Sequence, residues 1–387
     1  LATRFPMRRS LVLILLFLVA CGSGGDGGEI VFGSHTDLSG VAASFGVSQA
    51  NGMRMAVEEL NAAGGIEGRL VRLVVEDNQY QVPRAVQAAS KLIQRDRIVA
   101  MVGALGTPQN NAAFQQQLAA GIPNLFPLTA ARQMFLPHHP LKFTAYGSYY
   151  DGIRAGVKWM ADSLGKRRIC AMYQDTDYGQ EAFEAARDQV EAMGMTLAEA
   201  TTHKPTDQDF TPQLTQLRAA NCDLIVAGVI VRDAIVPYSA ARKMGWTGVD
   251  FLGTLASYDR SVAGAEGGVT EGLYAMAVVP MPDRNGGTPA MLAWMDRYRV
   301  RYGEDPNVGS LYVWQAMFIT FEALRRAGPD VTSASLVAAL EQVDALLEPV
   351  SGTRVSFSAT RHQGANTSFL SQVRGGRWVT LTGPLSF

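Results

Sequence analysis

The stretch Ile98-Val99-Ala100-Met101-Val102-Gly103-Ala104-Leu105-Gly106-Thr107-Pro108 constrains this chain more than any other. A run so continuously apolar at its start suits a strand buried on both faces, which means a parallel sheet with helices packed on either side. Its passage through two glycines to Thr-Pro reads as a tight turn into a helix, with Thr107 as N-cap and Pro108 as the first helical residue. Backbone N–H groups at such a helix start face the space beyond the strand's carboxyl end, where they favour an anionic or strongly accepting group. A capped turn without a ligand has the same local chemistry, so the rest of the chain must decide.

The alternation around that stretch repeats. Ile30 to Ser34, Leu70 to Asp77 and Ile122 to Pro127 read as further strands, with helices from Met53 to Leu60, Val82 to Gln94 and Pro108 to Ala119. The pattern restarts after Lys142-Phe143-Thr144: a helix from Asp151 to Leu164, strands at Arg168 to Tyr173, Thr196 to Ala200, Asp223 to Gly228 and Asp250 to Leu252, and helices between them. Three helical patterns follow, Pro289 to Tyr302, Leu311 to Ala327 and Ser333 to Val343, and a hairpin closes the chain around Gly375-Gly376. The expected fold is α/β, two doubly wound parallel-sheet lobes joined by a hinge. Residues 29–144 form the first lobe, 145–274 the second, 275–345 return to the first with helices, and 346–387 form a C-terminal hairpin region.

Composition fits a globular protein of 387 residues, 47% hydrophobic and 18% charged, with formal net charge -1. Nothing in it is a nucleic-acid footprint. Met7-Arg8-Arg9-Ser10 and the apolar run Leu11 to Ala20 have the form of a secretory signal, with Met7 the expected initiator. The run is about half of the ~20 residues a spanning helix requires. Leu18-Val19-Ala20-Cys21 has the form of a bacterial lipobox, so residues 1–20 are expected to be removed and Cys21 lipidated. Residues 21–28 then tether the body to a membrane surface. Cys170 and Cys222 are expected to be small buried apolar residues, with a disulfide as the alternative.

Asp37-Leu38-Ser39-Gly40, the run from Asn51 to Arg69, Leu73 to Asp77, Val102 to Leu105, Asp177-Tyr178-Gly179, Asp207 to Phe210 and Ala240 to Gly245 appear in colinear order. With these pieces the chain resembles the type I periplasmic solute-binding proteins of the Leu/Ile/Val-binding class. The resemblance implies a monomeric, lipid-anchored receptor outside the cytoplasmic membrane. It would close on a small-molecule solute and present it to an ABC permease, without a cofactor or metal. It also implies that the solute's carboxylate sits at Thr107 and at Leu128-Thr129-Ala130, with Phe45 in the first-lobe loop and Tyr178 as aromatic contacts. Tyr149 and Tyr150, at the first crossover, are further candidates, and packing is the competing role for them and for Phe45.

The chain departs from that pattern where amino-acid binders commonly carry an acid for the ligand's ammonium: it reads Thr254-Leu255-Ala256-Ser257-Tyr258. Val229-Ile230-Val231 also stands where a tyrosine is often found, so Val229 and Leu255 are expected to form an apolar wall. Burying an ammonium without a partner costs several kcal/mol. The expected ligand is therefore a small carboxylate or amide with an apolar or aromatic body, unless Asp37, Asp175 or Asp233 supplies the missing charge. His35 is the one histidine placed to donate to a ligand. An enzyme finds no support, since Gly103 and Gly106 do not make GxGxxG, and GxxxxGK[ST] and GxSxG are absent. A tethered sensor with the same fold is the alternative function.

Overall fold

A computed structural model describes residues 1–2 and 28–386; all but the first two residues of the expected leader, Cys21 and most of the tether lie outside the described residues. The first lobe starts with β1 (Ile30–Thr36), α1 (Ala43–Ala62), β2 (Val71–Asp77) and α2 (Val82–Gln94). It continues through β3 (Ala100–Val102), α3 (Thr107–Ala119), β4 (Asn124–Leu125) and β5 (Lys142–Phe143). These strands form one parallel sheet in the order β2-β1-β3-β4-β5. The second lobe runs through α4 (Tyr149–Leu164), β6 (Ile169–Gln174), α5 (Asp177–Ala192), β7 (Glu199–His203), α6 (Thr211–Ala219) and β8 (Leu224–Gly228). Then come α7 (Val231–Lys243), β9 (Asp250–Gly253), the short α8 (Arg260–Ala263) and β10 (Tyr274–Ala277).

The chain returns to the first lobe as α9 (Pro289–Tyr302), α10 (Val308–Ala327), α11 (Ser333–Leu340) and the small pair β11 (Leu346–Leu347) and β12 (Arg354–Val355). It then crosses back, and β13 (Phe369–Arg374) with β14 (Arg377–Thr380) completes the second sheet, ordered β14-β13-β10-β9-β8-β6-β7. β13 runs antiparallel to β10, Tyr274 facing Gln372. The expected boundary between 274 and 275 therefore cuts a strand that lies wholly in the second sheet. The expected C-terminal region divides likewise between its own small pair and that sheet.

The other differences are local and have local causes. The strand expected at Thr196 to Ala200 lies at Glu199–His203, where Cys170 to Gln174 of β6 sets its register. The fourth strand shrinks to two residues. α4 begins at Tyr149, because the Ser148 side chain accepts from the Asp151 N–H at 3.0 Å. α10 begins at Val308, whose N–H donates to the Asn307 side chain at 2.8 Å.

α10 is buried along most of its length because it lies against α1. Gly52 permits that approach, since a Cβ there would stand 2.6 Å from the Ser310 carbonyl oxygen. Where the chain crosses between lobes, the segments after β5 and before β13 run side by side: Thr144 donates its N–H to the His362 carbonyl, and Gly364 donates to that of Thr144. No helix among the described residues is long and apolar enough to cross a membrane.

Cys170 and Cys222 are joined in a disulfide, their Cα atoms 5.8 Å apart. This corrects the expectation of two free buried thiols. The pairing follows from the adjacency of β6 and β8, which a sequence separation of 52 does not reveal. A closed loop of that length removes about 4 kcal/mol of chain entropy from the unfolded state. Urea unfolding of the Cys170→Ser, Cys222→Ser double variant should show a stability loss of that order, with the folded secondary structure unchanged.

Candidate functional site

Both sheets reverse strand order, between β1 and β3 in one lobe and between β6 and β8 in the other. Such switch points open a crevice outside the strands' carboxyl ends. The two crevices face each other and enclose a cavity of about 490 Å³, its mouth included. The first lobe contributes Ala42 and Phe45 after β1, Tyr80 after β2, Leu105, Gly106 and Thr107 after β3, and Leu128 and Thr129 after β4. The second contributes Tyr149 at the crossover, Tyr178 after β6, Ile230 and Val231 after β8, and Leu255 and Ala256 after β9. No side chain among these carries a charge at neutral pH.

Polar groups gather at one end. Gly106, with φ of 100°, is the N-cap of α3, so Thr107 is the first helical residue and Pro108 the second. That corrects the expected cap by one position. It also frees the Thr107 hydroxyl, which pairs with the Thr129 hydroxyl at 2.7 Å. One hydroxyl gives its proton to the other, and the acceptor keeps a proton for a third group. Thr129 also accepts from the Ala131 N–H at 3.3 Å. Burial pushes the Tyr149 hydroxyl up to about 12, against the opposing pull of the Ala130 backbone and the Thr129 side chain. Burial likewise raises Tyr178 and Tyr80. All three phenols stay neutral donors.

The amino ends of α1, α3, α4, α5 and α7 all reach this cavity, and most already carry an acid. Asp151, Asp177 and Asp233 stand in the first turns of α4, α5 and α7. The first turn of α1 has no acid, but just ahead of it Asp37 accepts from the Ser39, Gly40 and Ala42 N–H groups, the last at 2.7 Å. The first turn of α3 has none. Its partial positive charge is left uncompensated where the two threonine hydroxyls lie.

The expected contacts fall into two groups. Phe45, Thr107, Leu128, Thr129, Tyr149, Tyr178 and Leu255 line the cavity, Phe45 from the first turn of α1 and not from a loop. Ala130, Tyr150 and Val229 are not among its lining residues. Ala130 borders a smaller neighbouring hollow. Tyr150 lies under the Arg132 guanidinium, 3.6 Å from its ring centre, and donates to Asp188 at 2.7 Å. Val229 is fully buried; its carbonyl accepts from the Tyr178 hydroxyl at 2.9 Å and from Ser257 at 2.8 Å, which fixes the tyrosine ring.

Tyr80, Ala42, Leu105, Gly106, Ile230, Val231 and Ala256 complete the lining without having been singled out as contacts. Tyr80 had a legible signal: it follows a strand's carboxyl end through an Asn78 turn in which the Asn78 side chain accepts the Tyr80 N–H at 2.8 Å. Gln79 and Tyr80 both take left-handed backbone, φ of 51° and 56°.

None of the acids considered for an ammonium lines the cavity. Asp37 is spent on backbone N–H groups. Asp233 is fully buried against His203 and Arg232. Asp175 is exposed in the outer seam beside Asn111 and Gln133. His35 lies within β1, fully buried and away from the lining, its Nδ1 accepting from Asn78 at 3.1 Å.

The lobes touch directly on both sides of the cavity. Asn111 of α3 donates to Asp177 of α5 at 2.7 Å, and the Arg132 N–H donates to the Glu181 carboxylate at 2.9 Å. On the other side Asn307 donates to Asp259 at 2.7 Å. Two open sheets, one parallel and one parallel but for its last two strands, closed face to face over a small interior cavity define a two-lobed receptor for a small molecule.

The model of the family described as Periplasmic binding protein matches residues 29–377, and the chain belongs to that family, a type of solute-binding protein and not of enzyme. It is 26% identical over 373 residues to Leu/Ile/Val-binding protein homolog 8 of Brucella abortus (strain 2308), covering 91% of this chain and 90% of that one. Its fold is similar to that of the fatty acid ABC transporter substrate-binding protein from Thermomonospora curvata, with TM-score 0.84 and 22% identity over 93% of each chain. It is also similar to LivJ of Streptococcus pneumoniae in complex with isoleucine, with TM-score 0.80, 21% identity, 92% of this chain and all of that one covered.

Burial pushes the His35 imidazole down to about 4. The unfolded chain, with an ordinary histidine near 6.5, binds that proton more tightly. Stability from this group is complete above pH 6.5 and is lost as pH falls toward 4, by about 2 kcal/mol between pH 7 and pH 5. Urea unfolding at the two pH values should show a smaller difference for His35→Asn than for the parent.

Proposed function

We propose that this protein is the extracytoplasmic receptor of an ABC importer, anchored through a lipidated Cys21, and that its ligand is a small carboxylate with an apolar or aromatic body and no ammonium. The observation that carries this reading is the α3 amino end, open and uncompensated, beside the Thr107 and Thr129 hydroxyls in a cavity whose lining residues include no carboxylate. A carboxylate there gains hydroxyl and backbone donors together with the helix field. The opposite wall, Ile230, Val231, Leu255 and Ala256, offers an apolar body contact area and offers an ammonium nothing. Solved structures of this fold include one named for fatty acid transport and one holding isoleucine, so the fold hosts both ligand types.

Thermal denaturation with L-leucine and with 4-methylpentanoate, the same skeleton without its amino group, separates the two. At a hundred times its dissociation constant a ligand adds about 2.7 kcal/mol of stability. The acid should raise Tm and leucine should raise it less. A leucine shift equal to or larger than that of the acid overturns the reading. Thr129→Val should weaken binding of the carboxylate tenfold or more in calorimetry, since it removes a hydrogen bond to a charged group. It should also lower the Tm of the unliganded protein, because the buried Thr107 hydroxyl and Ala131 N–H lose a partner, whereas Thr129→Ser should preserve both.

A further inference from the structure

Glu181 lies on α5 in the second lobe, yet both its carboxylate oxygens accept the N–H of Arg132 in the first, at 2.9 and 3.0 Å. Arg132 follows directly on the segment Leu128-Thr129-Ala130-Ala131, whose first two residues line the cavity. The Glu181 side chain is fully buried in this closed arrangement. The Arg132 guanidinium does not neutralise it closely: its Nε stands 3.6 Å from Glu181 while its Nη2 goes to Glu184 at 2.8 Å.

We propose that Glu181 is a positioning residue that latches the lobes together through the Arg132 backbone, and that closure takes up a proton on its carboxyl. The proposal deepens the receptor reading, because it assigns a control of closure to a residue that touches no ligand. When the lobes part, the Arg132 segment leaves and water reaches the carboxyl. When they meet, the carboxyl is dry.

Burial pushes Glu181 up to about 7; the Arg132 backbone and charge and the Tyr150 N–H oppose this, and Glu184 adds to it. Among the charged groups the Arg132 guanidinium opposes the neutral form more than Glu184 favours it, so loss of water on burial is what raises the carboxyl. From its own element and the loop before it come Glu184, Asp177 and Asp175, from the first lobe Arg132, and from the crossover Tyr149, whose hydroxyl the Glu181 charge helps to push up. From α4, Tyr150 is occupied with Asp188, and Arg154 bonds Gln189.

A group whose value is higher in the closed form than in the open one favours closure at low pH, and that preference is lost as pH rises from about 4.5 through 7. The closed-to-open ratio should therefore rise about thirtyfold between pH 8 and pH 5.5. The neutral amide of Glu181→Gln still accepts the Arg132 N–H, and it should hold the ratio near the low-pH value throughout. Glu181→Ala should lower the ratio at every pH.

The test needs no solute, so it stands apart from the identity of the ligand. Spin labels at the exposed positions Gln115→Cys on α3 and Glu191→Cys on α5 report the interlobe distance distribution at pH 5.5, 6.5, 7.5 and 8 in the otherwise complete protein. A short-distance population that grows as pH falls in the parent, and is pH-independent and high in Glu181→Gln, supports the proposal. A parent distribution that ignores pH, or a Glu181→Gln distribution that follows pH as the parent does or opens at every pH, overturns it. Far-ultraviolet circular dichroism of each variant separates unfolding from opening.

Discussion

The binding cleft depends on an electrostatic asymmetry between helices that end at the same place. α4, α5 and α7 bring their own acids to the cavity's edge, and Asp37 stands just ahead of α1, taking backbone N–H groups of the turn that leads into it. α3 arrives with glycine, threonine and proline. A positive end without an acid, in space shielded from water, attracts negative charge without a buried lysine or arginine. That economy matters because desolvating a full cation between closing lobes costs several kcal/mol each time they close. Paired hydroxyls and a helix end have little such cost, and so permit tight closure and easy release.

The second lobe supplies shape. Tyr178 is held by the Val229 carbonyl and by Thr254, and it meets Tyr149 edge to face with ring centres 5.2 Å apart. Rings fixed in this way lose little freedom when a ligand arrives. The same arrangement puts the paired threonine hydroxyls in one lobe and most of the apolar wall in the other, so a molecule that touches both completes its contacts only when both lobes are in place.

Much of this was legible in the residues. The apolar run into Gly-Leu-Gly-Thr-Pro located the α3 turn, and the βα alternation located both crevices before any coordinates. Phe45, Thr107, Leu128, Thr129, Tyr149, Tyr178 and Leu255 follow from that order and from the family resemblance. Tyr150 and Val229 were misplaced for a physical reason: neighbours on a helix or at a strand end point in different directions, and adjacency in sequence does not say which one faces the cleft. The His35 imidazole shows the same limit, since a residue in β1 can be taken for one in the loop that follows. The disulfide and the Glu181 contact join segments far apart in the chain, and only the sheet order and the closure of the lobes bring them together.

Neither lobe is made from one continuous length of polypeptide. The first needs α10 laid over α1, and the second gains its last strands only from β13 and β14 near the end of the chain. A nascent molecule emerging amino end first has no half that can finish early, so its greasy surfaces stay unsatisfied until almost every residue is available. For a protein threaded through a narrow channel before it folds, that delay is an advantage, because nothing compact forms on the wrong side.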